Sequence, residues 1–227
     1  RVSASRFGIK CSAAGGRASR SHGRWRARVL KRLARSLNLV VRRHLNAMQI
    51  RTTRLDLVPM TPEFLRASLR RDIASASEAI GLRLPSEWPD IDHVLSIRLD
   101  QLTLEPTLQP WLLRAMALKT GEMIGHIGFH TLPGAEYLKP WRPSGVEFGF
   151  TVFEPHRRKG YAREASLALM DWAHKEHGVK DFVLTISPDN LPSQRLAAGL
   201  GFSRIGEHID EVDGIEHILA RTVSGAA

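Results

Sequence analysis

Residues 146–173 read "VEFGFTVFEPHRRKGYAREASLALMDWA", and the reading of this stretch decides the fold. An apolar strand runs from Val146 to Phe153 and Pro155 stops it. A basic turn follows, and a helix starts near Gly160 and continues to about His177. Ala162, Ala165, Leu169, Trp172 and Ala173 fall on one helical stripe that can pack on a sheet. Arg157, Arg158 and Lys159 therefore stand at a helix N-terminus, where the macrodipole disfavours each exposed cation by roughly 0.3–1 kcal/mol. Free backbone N–H groups, a glycine that allows close approach and flanking cations together suit a phosphate. Taken alone, the turn would equally suit a solvated cluster of charges.

Outward from the turn, strands and helices alternate in a mixed order. Upstream, "TRLDLVPM" (53–60) sets Leu55 and Leu57 against Arg54 and Asp56, the alternation of a half-buried strand. Thr61 caps a helix with Pro62 at its first position, expected to run to about Ile80. A second helix is expected over 90–103, after the "LPSEWP" turn. "WLLRAMALKTGEMIGHIGFH" (111–130) reads as a hairpin, with strands over 111–118 and 123–130 around "KTGE". Downstream come a strand over 182–187, a short helix over 193–199 and two closing strands turning at Asp213-Gly214. This order predicts an α/β (α+β) fold, a mixed sheet with helices on its faces.

Charge separates the chain into two parts. Residues 1–47 hold eleven Arg and two Lys with no Asp or Glu, so the formal net charge of +10 lies in this extension. The rest carries 20 basic against 23 acidic residues. The expected organisation is a basic, largely disordered extension over 1–47, with an amphipathic helix over 24–47, followed by one domain over 48–227. An organellar transit peptide, a nucleic-acid or membrane-surface arm, and sequence upstream of a true start at Met48 would all give such an extension. The body is mildly acidic, so nucleic acid is not expected as its partner. No apolar run approaches the roughly 18 residues of a membrane span. Cys11 is the sole cysteine, which fits a reducing compartment, and the expected location is the cytoplasm.

Within the strand–turn–helix stretch, Arg157-Arg158-Lys159-Gly160-Tyr161-Ala162 fits the pattern Q/R-x-x-G-x-G/A. Farther on, "SPDNLPSQRLAAGLGF" (187–202) carries Asn190 and Ser193 ahead of a short helix and Gly201-Phe202. With these two spaced motifs the chain resembles the GCN5-related N-acetyltransferase (GNAT) superfamily over about 50–222. The opening "IRTTRLDLVPMTPEFLRA" (50–67) is similar to its branch of Rim-type ribosomal-protein acetyltransferases. The resemblance implies a mostly antiparallel sheet, splayed in the middle to hold acetyl-CoA, and transfer of an acetyl group to a primary amine in a ternary complex. It implies acetyl-CoA as cosubstrate and a monomer or homodimer. Relatives often carry a second glycine where this chain has Arg158 or Lys159.

On that resemblance the pyrophosphate cradle comprises Arg157, Arg158, Lys159, Gly160, Tyr161 and Ala162. Thr151, Val152 and Phe153 would line the pantetheine arm, with an N–H of Thr151 or Val152 polarising the thioester. Asn190 and Ser193 complete the cofactor set. Glu147, inside an apolar strand, is the first candidate for general base, with its pKa expected to rise on burial; His130 is the alternative. The tyrosine that protonates the thiolate in many relatives is replaced here by Ala197, and the resemblance implies Ser193 as the candidate acid, since it matches a serine with that role in the Rim-type branch. The pairs His174/His177 and His126/His130 lack carboxylate or cysteine partners at ligand spacing, so no metal site is expected. Two other readings stay open: a noncatalytic acyl-CoA sensor on the same fold, and a nucleic-acid-binding protein acting through the extension.

Overall fold

The computed structural model describes residues 47–89, 91–210 and 214–224. The expectations for the extension before residue 47, and for the turn residue Asp213, lie outside the described residues. Eight strands form one sheet: β1 (Ile50–Arg51), β2 (Leu55–Pro59), β3 (Arg114–Leu118), β4 (Met123–Phe129), β5 (Val146–Val152), β6 (Asp181–Ile186), β7 (Ser203–Asp210) and β8 (Gly214–Thr222). Their order is β1-β2-β3-β4-β5-β6-β8-β7, and every neighbouring pair is antiparallel except β5 with β6.

Five α-helices accompany the sheet among the described residues: α1 (Pro62–Leu69), α2 (Ile73–Ile80), α3 (Asp92–Leu104), α4 (Tyr161–His177) and α5 (Leu191–Gly199). None is long and apolar enough to cross a membrane. The sheet's alternation sends side chains into two cores. Leu55, Leu57, Phe148 and Phe182 pack with α4 residues such as Leu169 and Ala173. Val58, Ala115 and Ala117 pack with Phe64, Ala76 and Leu95 of α1, α2 and α3.

The single helix expected over 62–80 is two helices. Arg71 adopts φ 59°, and the Asp72 carboxylate accepts the Ser75 N–H at 3.0 Å, a new N-cap that restarts the helix. The Arg71 guanidinium is held on Asp92 at 2.6 Å. The hairpin's first strand begins at Arg114, later than expected, because the N–H groups of Trp111 and Leu112 close a turn onto the Leu108 carbonyl, at 2.9 and 3.2 Å, while the Trp111 ring packs on Phe129 and Trp172. Arg114 itself is fully buried. It donates to the carbonyls of Met48 (2.7 Å), Leu57 (3.4 Å) and Pro110 and lies 5.2 Å from the Trp172 ring. Burial pulls its pKa down to about 10, so the guanidinium stays charged and binds the chain's entry into β1 to the core.

Candidate active site

The site originates in how β5 and β6 part. They pair in parallel only at Val146↔Phe182 and Glu147↔Val183. Beyond that point β5 follows β4 as far as Gly125↔Val152, while β6 follows β8. Two hydrogen bonds reveal which backbone groups the parting frees: the Phe153 N–H goes to the Ile124 carbonyl, and the Glu147 carbonyl accepts from His130 N–H, 2.9 and 3.0 Å. Polar groups alternate sides along a strand, so odd-numbered residues bond to β4, even-numbered ones turn toward β6, and past the last pair Phe150 and Val152 face the gap. Of the two donors considered for the thioester, this leaves Val152; the Thr151 N–H is turned toward β4. The Val152 carbonyl already accepts Arg157 Nε at 2.9 Å.

The gap opens into a cleft of about 900 Å³. One wall is Phe150, Thr151 and Val152; the mouth is the turn into α4, with Arg157, Arg158, Gly160, Tyr161 and Ala162; the far wall is Asn190, Pro192, Ser193 and Leu196 of α5. The structure thus brings together nine of the expected residues around one space. Phe153 and Lys159 are not on its wall. Phe153 packs 6.2 Å from Trp88 in the core beneath α1–α3, and Lys159 curls back to donate to the Pro155 carbonyl at 2.9 Å.

The turn is shaped by two left-handed residues, Arg158 at φ 63° and Gly160 at φ 81°. Arg158 thus occupies the position where a second glycine would carry no steric cost. Among the described residues, the N–H groups from Arg158 to Arg163 find no acceptor, and α4 has no side-chain cap. A row of amides at a helix start, flanked by Arg157, Arg158, Arg163 and Arg195, gives the cleft mouth a strongly anion-seeking character.

Sequence reasoning missed what holds the turn. Arg54, from the bend just before β2, donates through Nη1 to the Lys159 carbonyl at 2.9 Å and stacks 4.7 Å over the Tyr161 ring. Its Nε meets Glu164 Oε2 at 2.6 Å, and its N–H reaches Oε1 at 2.9 Å. Thr52 Oγ1 adds a bond to the same carboxylate at 2.5 Å. Burial pushes the Glu164 carboxyl up, but these bonds outweigh it and hold the group below its ordinary range.

Beyond the cleft's inner end lies a buried polar cluster around Glu147, only 8% exposed. The Thr185 hydroxyl donates to its Oε1, His130 Nδ1 lies 3.4 Å from its Oε2, and the Tyr137 hydroxyl also bonds to it. The expected upward shift of Glu147 does not occur. Burial does push the Glu147 carboxyl up, but His130, Thr185 and Tyr137 hydrogen-bond its charged form and leave it below the usual range. Tyr137 is raised by burial and by Glu147, so its hydroxyl keeps its proton. Thr185 and Tyr137 carried no signal in the sequence, because the contacts come from a neighbouring strand and a loop turn.

On α5 the Asn190 side chain accepts the Ser193 N–H at 3.2 Å, a helix N-cap. Ser193 lines the cleft, and its hydroxyl has no partner among the described residues. Ala197, one turn along, is fully buried.

Comparison with known proteins agrees with this geometry. A family model described as an acetyltransferase (GNAT) domain matches residues 54–203. The chain is 28% identical over 158 residues to the uncharacterised N-acetyltransferase YjdG of Bacillus subtilis, spanning 67% of this chain and 88% of that one. It is 22% identical over 165 residues to the FsC-acetyl coenzyme A-N(2)-transacetylase of Aspergillus fumigatus, spanning 72% and 68%. Among solved structures, the ribosomal-protein-S5-alanine acetyltransferase of Vibrio fischeri shares the fold with a TM-score of 0.54 at 12% identity, over 77% of this chain and 96% of that one.

Proposed function

The chain belongs to the GNAT family of acetyltransferases, and from that premise we propose that it moves the acetyl group of acetyl-CoA directly to a primary amine within a ternary complex. The acceptor class we assign is a protein N-terminus or a small amine. The observation that carries this reading is the parting of β5 from β6 ahead of a turn whose amides have no acceptor among the described residues. The pyrophosphate would bind the N–H groups of Gly160, Tyr161 and Ala162, with Arg157 and Arg158 beside it. The pantetheine arm would continue the sheet along β5, where the gap-facing groups of Phe150 and Val152 lie, and the Val152 N–H would meet the thioester oxygen. Proton removal from the amine belongs to the Glu147 cluster, and Ser193 would return a proton to the departing thiolate. Asn190 acts by fixing the start of α5 so that Ser193 faces the cleft.

Calorimetry with acetyl-CoA, followed by thiol release with peptides of varied N-terminal residue and with small primary amines, tests the proposal. Binding with turnover of at least one amine is the expected result, and failure to bind acetyl-CoA would refute it. A second reading, an acyl-CoA sensor, draws on the buried Ala197, which leaves α5 without a tyrosine acid. Tight binding without turnover of any amine would favour it.

A further inference from the structure

We infer that the base that takes the amine's proton is His130 Nε2, and that Glu147 is a positioning residue that orients the imidazole; this rests on the acetyl transfer proposed above. The sheet register places the two residues opposite each other. Phe129 pairs with Phe148, and the His130 N–H bonds to the Glu147 carbonyl at 3.0 Å, so both side chains rise from the same face. The next pair on that face is Gly128 and Gly149, and the one after it His126 and Thr151. Thr151 is already on the cleft wall.

The imidazole bridges this interval. Its Nδ1 faces the carboxylate at 3.4 Å, while Nε2 lies 3.0 Å from where a side-chain carbon on Gly149 would stand. Gly149 has no side chain, so the ring leans over bare backbone toward the cleft, one two-residue step of about 6.6 Å short of Thr151. His130 is 38% exposed on its side chain, whereas both oxygens of Glu147 are engaged and the group is almost wholly covered. An incoming amine can therefore reach the imidazole and not the carboxylate. Arg98 Nη1 and Gln101 Nε2, from α3, both bond to the His130 carbonyl, at 3.0 and 3.3 Å, and hold its backbone. The titratable and charged groups around the pair are thus Glu147 on β5, Tyr137 from the loop turn and Arg98 from α3.

The chemistry balances. The ammonium yields a proton to Nε2, giving an imidazolium whose Nδ1–H faces the carboxylate. The freed amine attacks the thioester carbonyl carbon; the C–S bond breaks as the tetrahedral intermediate collapses. Ser193 gives its proton to the thiolate and is reprotonated by the second nitrogen proton, and the imidazolium returns its proton to water. A carboxylate that stays ionised accepts from Nδ1–H and so keeps the Nε2 lone pair bare.

Two measurements test the assignment. Long-range nitrogen–proton NMR on the histidine-labelled full chain should show His130 as the Nδ1–H tautomer, with Glu147→Gln shifting it toward Nε2–H. An Nε2–H tautomer in the unsubstituted protein would overturn the proposal. This readout needs no acceptor, so it stands apart from the acetyl-transfer reading, which acetyl-CoA calorimetry tests separately. With any amine that turns over, His130→Gln should lower kcat about 100-fold or more and erase the acid limb of the pH–rate profile. Glu147→Gln should lose less and keep the limb, and the double variant should match His130→Gln alone. If His130→Gln keeps the limb and Glu147→Gln removes it, the carboxylate is the base and the proposal fails.

Discussion

Replacing Glu164 by alanine isolates the device that shapes the turn. The carboxylate accepts three hydrogen bonds: from Thr52 Oγ1 at 2.5 Å, Arg54 N–H at 2.9 Å and Arg54 Nε at 2.6 Å. Bonds to a charged acceptor are worth about 1.5–3 kcal/mol when buried and well under 1 kcal/mol when screened by water. Glu164 is 19% exposed but Arg54 is 46% exposed, so each bond lies toward the screened limit and the three together contribute about 2 kcal/mol. In a domain of this size that lowers Tm by roughly 4–8 °C. The loss should be pH-dependent. Glu164 is held below its ordinary range, so its contribution is complete above the unfolded carboxylate pKa and disappears as pH falls through the folded one. Unsubstituted protein and variant should therefore converge in Tm toward acid pH. The same variant frees Arg54, whose Nη1 anchors the Lys159 carbonyl next to the amides, so acetyl-CoA affinity should fall several-fold. Thermal melts between pH 3 and 8 and calorimetry at neutral pH read both effects. A variant with unchanged Tm at neutral pH, or with lower Tm but full affinity, would refute the idea that this ion pair organises the cradle.

Other substitutions test neighbouring features. Arg158→Gly should raise Tm by a few degrees, because the left-handed conformation at φ 63° costs roughly 1–2 kcal/mol for a residue with a β-carbon, partly offset by the entropy of glycine. Arg157→Glu reverses a charge at the cleft mouth and removes the bond to the Val152 carbonyl, so acetyl-CoA affinity should drop at least tenfold in calorimetry. Ala197→Tyr, which restores the residue of many relatives, should lower Tm by several degrees, since the site is fully buried and overpacking costs about 1–3 kcal/mol. Arg114→Ala strips three carbonyls of their donor and opens a cavity in the core, costing about 3 kcal/mol or more in a denaturant melt.

What could be read along the chain was whatever depends on neighbours in sequence. The strand, turn and helix over 146–177 share one local logic of apolar run, proline, glycine and helical stripe, and their observed limits agree to within a residue. The helix break at Arg71 escaped that logic. "LRRDIAS" has good helix formers on both sides, and the restart depends on a left-handed arginine tied to Asp92, twenty-one residues away. Arg54 escaped it for the same reason: it read as the polar half of a strand's alternation, and its bonds to Lys159 and Glu164 span more than a hundred residues.

The site shows the same division, and the register explains it. A sequence names the residues of β4 and β5 but not which face which, and a slip of one residue would reverse every side chain. Once Phe129 stands opposite Phe148, three consequences follow together. Odd-numbered residues of β5 give their backbone bonds to β4, which leaves Val152 and not Thr151 with an N–H toward the gap. His130 falls opposite Glu147 and converts a buried carboxylate, expected to titrate upward, into one held ionised by its partners. The two glycines fall opposite each other, and Gly149 leaves the space over its own backbone to the imidazole. Electrostatics at this site is therefore a property of the pairing: Glu147 in the same apolar strand, set one residue out of register, would face the other core with none of these hydrogen bonds.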